Sequence, residues 1–195
     1  MSHYPLASFI KSANAPDGFV PDEGAEVAFA GRSNAGKSSA INVLVNRRQF
    51  ARTSKTPGRT QLINFFALRD SVRIVDLPGY GFARVSEKMR DHWADLIADY
   101  FETRASLRGL FLIVDIRRGL NEFDRQMLAF AESVALPVHV LLTKSDKLKR
   151  GQAAKALLEV RRELGELATV QQFSALSRQG EGQARDKLEE FLGLV

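Results

Sequence analysis

The chain of 195 residues contains no cysteine, which removes disulfides, thiolate metal sites and thiol chemistry from consideration. Its three histidines, His3, His92 and His139, lack metal-ligand spacing and are assigned no chemistry. No stretch approaches the roughly 18 uninterrupted apolar residues that a membrane span requires, so membrane insertion is not expected. The opening MSHYPLASFIKSANAPDG lacks the basic start and long apolar run of a secretory signal, and a cytoplasmic location is the expectation. With 45% apolar residues, a single globular domain with a buried core is expected.

Negative charge is also missing, but only locally. From Val27 to Arg69 there are eight Lys or Arg and no Asp or Glu, although the whole chain is only +5. A solvated loop is one reading of such a run. Arg47, Arg48, Arg52, Lys55 and Arg59, in a segment that reads as loop, also suit a polyanion larger than a nucleotide, RNA first.

What is present is alternation. Strand patterns cover Glu26 to Ala30, Gln61 to Leu68, Val72 to Val75, Gly109 to Ile116, Val138 to Leu142 and Thr169 to Phe173. Helical patterns cover Lys37 to Val45, Glu87 to Thr103, Glu122 to Ala135, Arg150 to Leu164 and Gly182 to Leu192. GLFLIVDI is apolar almost throughout, which suits a strand covered on both faces. The expected fold is α/β: three layers around a mostly parallel six-stranded sheet. The connection LRDS is hairpin-length, so Gln61 to Leu68 is expected as one antiparallel edge strand beside Val72 to Val75. Residues 1–24, with Pro5, Pro16 and Pro21, read as an irregular arm with room for a short strand, and 25–195 as the domain proper.

Ligands of such sheets bind beyond the carboxyl ends of the strands, and the polar signatures fall there. After the first strand, GRSNAGKS matches G-x-x-x-x-G-K-[ST]. Its residues Gly31, Arg32, Ser33, Asn34, Ala35, Gly36, Lys37 and Ser38 can curl so that backbone amides face phosphate oxygens. Lys37 would reach the β- and γ-phosphates, and the Ser38 hydroxyl would ligate magnesium. A glycine-rich turn is the bland alternative. The second signature is Asp76, Leu77, Pro78 and Gly79. The carboxylate suits a magnesium-bound water, and the Gly79 amide can meet a γ-phosphate because no side chain blocks the approach. The third, Thr143, Lys144, Ser145 and Asp146, suits a base. Asp146 can accept from N1–H and the 2-amino group of guanine, a donor pair that adenine lacks, and the alkyl stem of Lys144 can cover the ring. Phe173, Ser174 and Ala175 end the last strand, where a backbone amide can meet the guanine carbonyl. Four signatures in this order, each at a strand's carboxyl end, indicate a GTPase.

The wording GRSNAGKSS, TSKTPGRTQLINFF, DLPGYGFA, LLTKSDKL and FSA resembles the Ras-like P-loop GTPases, in the translation-factor-related branch with Era and MnmE. Within it, the closer resemblance is to the EngB (YihA/YsxC) family. By that resemblance Thr60 is the switch threonine that closes on magnesium in the GTP state. Gly58, Arg59, Thr60, Gln61 and Leu62 then line the nucleotide, and Asp76 to Gly79 open a second switch. The residues implied in catalysis are Lys37, Thr60 and Gly79, and those implied in holding magnesium are Ser38 and Thr60. Many relatives carry a water-orienting glutamine directly after the D-x-x-G glycine. Tyr80 stands here, so slow intrinsic hydrolysis is expected. Asn34 matches an asparagine that coordinates potassium in some of these GTPases; a loop-capping role is the other reading. Thr143 replaces the usual asparagine of N-K-x-D, which makes moderate guanine affinity the expectation. Trp93, the single tryptophan, is expected to pack its helix on the core.

The resemblance implies a molecular switch in assembly of the large ribosomal subunit, contacting the subunit or its RNA through the basic switch region. It also implies a link to cell division and septation. A monomeric state is the expectation, although the sequence itself is silent on oligomeric state. A metabolic P-loop kinase would not need Asp146. A nucleotide-binding structural partner of the division machinery, with little hydrolysis, is the remaining alternative.

Overall fold

The computed structural model describes residues 3–51, 62–81 and 87–194, with backbone alone for 87–90. Strand β1 is Ser8–Ala13, β2 Ala25–Gly31, β3 Ile63–Arg69, β4 Val72–Asp76, β5 Leu107–Asp115, β6 Val138–Thr143 and β7 Ala168–Gln172. The helices are α1 (Lys37–Val45), α2 (Glu87–Thr103), α3 (Glu122–Ser133), α4 (Arg150–Leu164) and α5 (Glu181–Phe191). They sit on both faces of one sheet of order β1-β3-β4-β2-β5-β6-β7.

The two faces follow from strand alternation. Along β2, Val27 and Phe29 face α1 and α5 together with Phe111 and Ile113 of β5. Ala28 and Ala30 face the other way, with Leu110, Leu112 and Val114, toward α2, α3 and α4. The middles of both strands, Val27 to Gly31 of β2 and Gly109 to Val114 of β5, are therefore apolar without interruption, as strands buried on both faces must be.

Two expectations are corrected. The sheet has seven strands rather than six, and β3 is not its edge. The segment read as an irregular arm supplies β1, which pairs antiparallel with β3, Phe9 against Phe66 and Ala13 against Ile63. The hydrophobic reason lies in partners distant along the chain. Phe9 meets the Phe66 ring edge-on at 5.5 Å, while Tyr4 and Ala7 are buried with α1 and α5. Proline punctuation at residues 5, 16 and 21 hid a strand that fits between the breaks. The β3–β4 hairpin is antiparallel as the short connection implies, turning through Ser71 at φ 56°. The parallel pairs β2–β4, β2–β5, β5–β6 and β6–β7 bring the ends of β2, β4, β5 and β6 to one rim.

Candidate nucleotide-binding site

The rim begins where β2 runs into α1. Gly31 lies so close to β5 that a Cβ there would meet the Ile113 carbonyl oxygen at 2.7 Å, which forces a glycine at the exit of the strand. The chain turns through Asn34 at φ 63° and Gly36 at φ 103°, with the Ala35 amide donating to the Arg32 carbonyl at 3.0 Å. Gly36 takes a left-handed conformation that side chains rarely adopt. It also leaves α1 with no side-chain cap, so the first amides of the helix and its positive dipole end face the loop. Lys37 opens the helix, and its ammonium donates to the Asp76 carboxylate at the end of β4. Ser38 follows on the same turn, half-buried.

The second signature lies across this loop. The Leu77 amide donates to the Phe29 carbonyl at 3.0 Å and the Ser33 amide to the Tyr80 carbonyl at 2.9 Å. A Cβ on Gly79 would come within 3.4 Å of the Ser33 backbone. Tyr80 turns away from the loop. Its ring is buried between Trp93 and Phe123, and its hydroxyl donates to Asp124 of α3. Asp124 is also the reciprocal partner of Asn121 in the capping box of that helix. Burial pushes the Asp124 carboxyl above its ordinary value and the Tyr80 phenol well above its own. Trp93, expected on the core, packs there and also donates from Nε1 to the Pro78 carbonyl at 3.3 Å.

The third signature closes β6. The Thr143 hydroxyl reaches the Ala35 carbonyl and, at 3.1 Å, the Val114 carbonyl. Lys144, at φ 58°, donates to the Asn34 carbonyl at 2.6 Å and to Asp115 at 2.9 Å. The two loops are thus tied directly, Thr143 and Lys144 gripping consecutive carbonyls of the glycine-rich turn. Ser145 is held by Phe173 through its amide (3.2 Å) and by Gln179 through its hydroxyl (3.0 Å). Asp146 accepts from the Ser174 hydroxyl at 2.6 Å. That bond, helped by nearby Lys147, holds its carboxyl below the usual range.

Phe173, Ser174 and Ala175 lie just past β7, which ends at Gln172. The strand stops because the Ser174 amide turns to the Gln179 carbonyl at 3.1 Å. Phe173 is wholly buried and its amide donates to the Leu142 carbonyl at 2.8 Å. Leu62, half-buried, precedes β3. Gly58, Arg59, Thr60 and Gln61 lie outside the described residues, as do Arg52 and Lys55 of the basic run. Within that run Arg48 and Arg69 are exposed, while Arg47 donates to the Ala7 carbonyl.

Sequence reasoning missed Asp115, Arg117 and Gln179. Arg117 forks onto Asp115 through Nε at 2.9 Å and Nη2 at 2.7 Å. Burial would raise the Asp115 carboxyl, but the bonds from Arg117 and Lys144 hold it well below the usual carboxylate range. The available signal was the acid that ends the apolar run GLFLIVDI, at the same rim as the recognised motifs.

Residues 26–144 match the family model described as 50S ribosome-binding GTPase. The chain is 50% identical over 192 residues to the probable GTP-binding protein EngB of Hydrogenovibrio crunogenus, an alignment covering 97% of this chain and 91% of that protein. The chain belongs to the EngB family. The probable GTP-binding protein EngB of Stenotrophomonas maltophilia is 52% identical over 178 residues, 89% of each chain. In three dimensions, the crystal structure of a probable GTP-binding protein EngB matches with a TM-score of 0.71 at 24% identity, covering 87% of this chain and 99% of that one. Membership makes the protein a GTP-binding P-loop GTPase with the expected three-layer fold. Among the described residues no helix is long and apolar enough to cross a membrane.

Proposed function

We propose that this EngB-family GTPase binds GTP across the rim described above, hydrolyses it slowly, and uses the two nucleotide states to switch its affinity for the large ribosomal subunit. The observation that carries the nucleotide half is the double tie between loops. Thr143 and Lys144 hold the Ala35 and Asn34 carbonyls, so a base-reading carboxylate at Asp146 and a phosphate cradle at Gly31 to Ser38 form one preorganised surface. Lys37 would carry phosphate charge, exchanging its present partner Asp76 for the nucleotide, and Gly79 would offer its amide to the γ-phosphate.

Magnesium fits this donor set. The Ser38 hydroxyl and the Asp76 carboxylate are hard oxygens on the two elements that Lys37 joins. Ser38 and Thr60 would ligate the ion and Asp76 would hold one of its bound waters; the ion when bound neutralises phosphate charge. Slow turnover is supported by Tyr80, whose side chain is buried on α3 and carries no amide to orient a water. A rate on the order of 10⁻³ s⁻¹ or slower is expected.

The ribosomal half is supported by the description of the matching family and by the acid-free basic run. Assembly of the large subunit is the proposed process, and a link to division and septation is its proposed consequence. Two measurements test the reading. Asp146→Asn should turn base preference from guanine toward xanthine nucleotides by as much as about 10⁴, and unchanged selectivity would remove the carboxylate from its assigned role. Co-sedimentation with purified subunits should show large-subunit binding that strengthens with a non-hydrolysable GTP analogue and weakens with salt; absence of binding in both nucleotide states would refute the ribosomal part.

A further inference from the structure

Asp115 ends β5 and lies opposite Thr143 across the β5–β6 pair. It is buried, 6% exposed, at the rim where Lys37, Lys144 and Asp146 lie, and has no ligand role of its own. Its two oxygens are shared between cations: Lys144 at 2.9 Å and the Arg117 fork, with the Arg117 amide added at 3.1 Å. The Lys144 ammonium therefore stands between two acceptors, Asp115 on one side and the Asn34 carbonyl on the other. A lysine stem is flexible, with several rotamers to lose on ordering. Bracketed in this way, it is held before any ligand arrives, and so is the carbonyl that it touches in the glycine-rich turn.

We propose that Asp115 is a positioning residue of the guanine site: through Lys144 it fixes the lateral wall of the base pocket and couples that wall to the phosphate loop. This rests on the reading of Asp146 and Lys144 as the base-binding pair. Arg117 completes the hydrogen bonding of Asp115 from the solvent side, where its side chain is 44% exposed, and is the less important partner. Asparagine at 115 would offer one carbonyl oxygen to two cations and leave the lysine free to swing away. The loss falls on the base side of the nucleotide, so it is shared by GDP and GTP and appears in binding rather than in the chemical step.

The test is a double-variant cycle on the full chain, read with the fluorescent N-methylanthraniloyl derivatives of GDP and of a non-hydrolysable GTP analogue. Asp115→Asn is expected to weaken both nucleotides alike by about 10- to 30-fold and to raise KM, with kcat within about twofold. In a Lys144→Met background the same change should add less than about twofold. Equal losses in the two backgrounds, or unchanged affinity in the single variant, would overturn the proposal. If Asp115→Asn does not fold, Asp115→Glu, which keeps the carboxylate and moves it by one methylene, runs the same cycle and is read in the same way. Unchanged base selectivity in Asp146→Asn removes the underlying guanine-site reading; altered selectivity there with an additive cycle removes the role of Asp115 alone.

Discussion

The strand β2 has two ends, and both are charged, but the charges are used differently. At its amino end Glu26 is fully buried. It accepts from Arg73 at 2.8 Å, from the Tyr100 hydroxyl at 3.0 Å and from Arg104. The two guanidinium groups continue outward, Arg104 to the Val20 carbonyl at 2.7 Å and Arg73 to the Pro21 carbonyl at 3.1 Å. Asp22 accepts the Ala105 and Ser106 amides at 2.8 and 2.9 Å. The cluster is a clasp joining the approach to β2, the end of α2 and the start of β4, every charge answered from within the protein. At the carboxyl end Lys144, Arg117 and Asp146 each have a partner too, but within reach of water, with Lys144 31% exposed; the Lys37–Asp76 pair is more enclosed, yet its cation faces the glycine-rich turn. Desolvated charge with internal partners holds a fold in one state. Partly solvated charge with exchangeable partners can trade them for a ligand.

The largest way to break this contrast is Glu26→Ala, which strands two guanidinium groups. A loss of about 3–5 kcal/mol is expected, a fall of roughly 6–20 °C in Tm. Thermal and denaturant unfolding would measure it, and a loss below about 1 kcal/mol would mean that the clasp is decorative.

Acid should likewise strike the amino end first. His139, near the start of β6, is buried beside Thr169 and Gln171, with Lys187 and Glu190 as its charged neighbours. Burial lowers its pKa from 6.5 to about 4. Between those values the unfolded chain binds a proton that the folded one refuses, so stability present above pH 6.5 is lost as pH falls, by up to about 3 kcal/mol. The difference between wild type and His139→Gln across pH 7 to 4 isolates this share, and parallel curves would refute it. Asp115 and Asp146 are shifted the other way, below the usual carboxylate range, by the bonds they accept.

At the other end, Lys37→Ala should weaken a GTP analogue about 100-fold, the worth of one or two charge-assisted bonds, and should cost about 1–3 kcal/mol of stability, because it leaves the buried Asp76 carboxylate without its cation. Retained affinity would contradict the phosphate role; a large loss of stability would make Lys37 resemble Glu26. Tyr80→Phe lies between the two regimes. It leaves a buried carboxylate short of one donor, at about 1–2 kcal/mol, and loosens the segment against which Trp93 rests, so tryptophan emission should shift with the nucleotide state. Smallest is the effect of the monovalent ion. If Asn34 holds potassium, turnover in potassium should exceed that in sodium several-fold, and equal rates would leave Asn34 as a residue of the turn.

Much of the rim was legible because its chemistry is local. GRSNAGKS fixes a turn and a helix start by residue type alone, and three helices, Lys37–Val45, Glu87–Thr103 and Arg150–Leu164, run as their periodicity indicates. The arm was legible only as having room for a short strand, its place in the sheet being hidden because β1 draws its stability from Phe66 and from α5, more than fifty residues away along the chain. Asp115 was passed over because an acid closing an apolar strand has no meaning until its partners are known.

By itself, then, the sequence determined which loops have the backbone freedom proposed here to curl around phosphate, which carboxylate is proposed to read guanine, and the alternation that makes a parallel sheet. Those depend on backbone freedom, side-chain chemistry and period, all of which act within a few residues. The tertiary structure alone decided that Lys37 rests on Asp76, 39 residues away, Lys144 on Asp115, 29 away, Tyr80 on Asp124, 44 away, and Arg104 on Glu26, 78 away. Such pairings follow from strand order and from the side of the sheet on which each helix lands, because burial selects partners by position in space rather than along the chain.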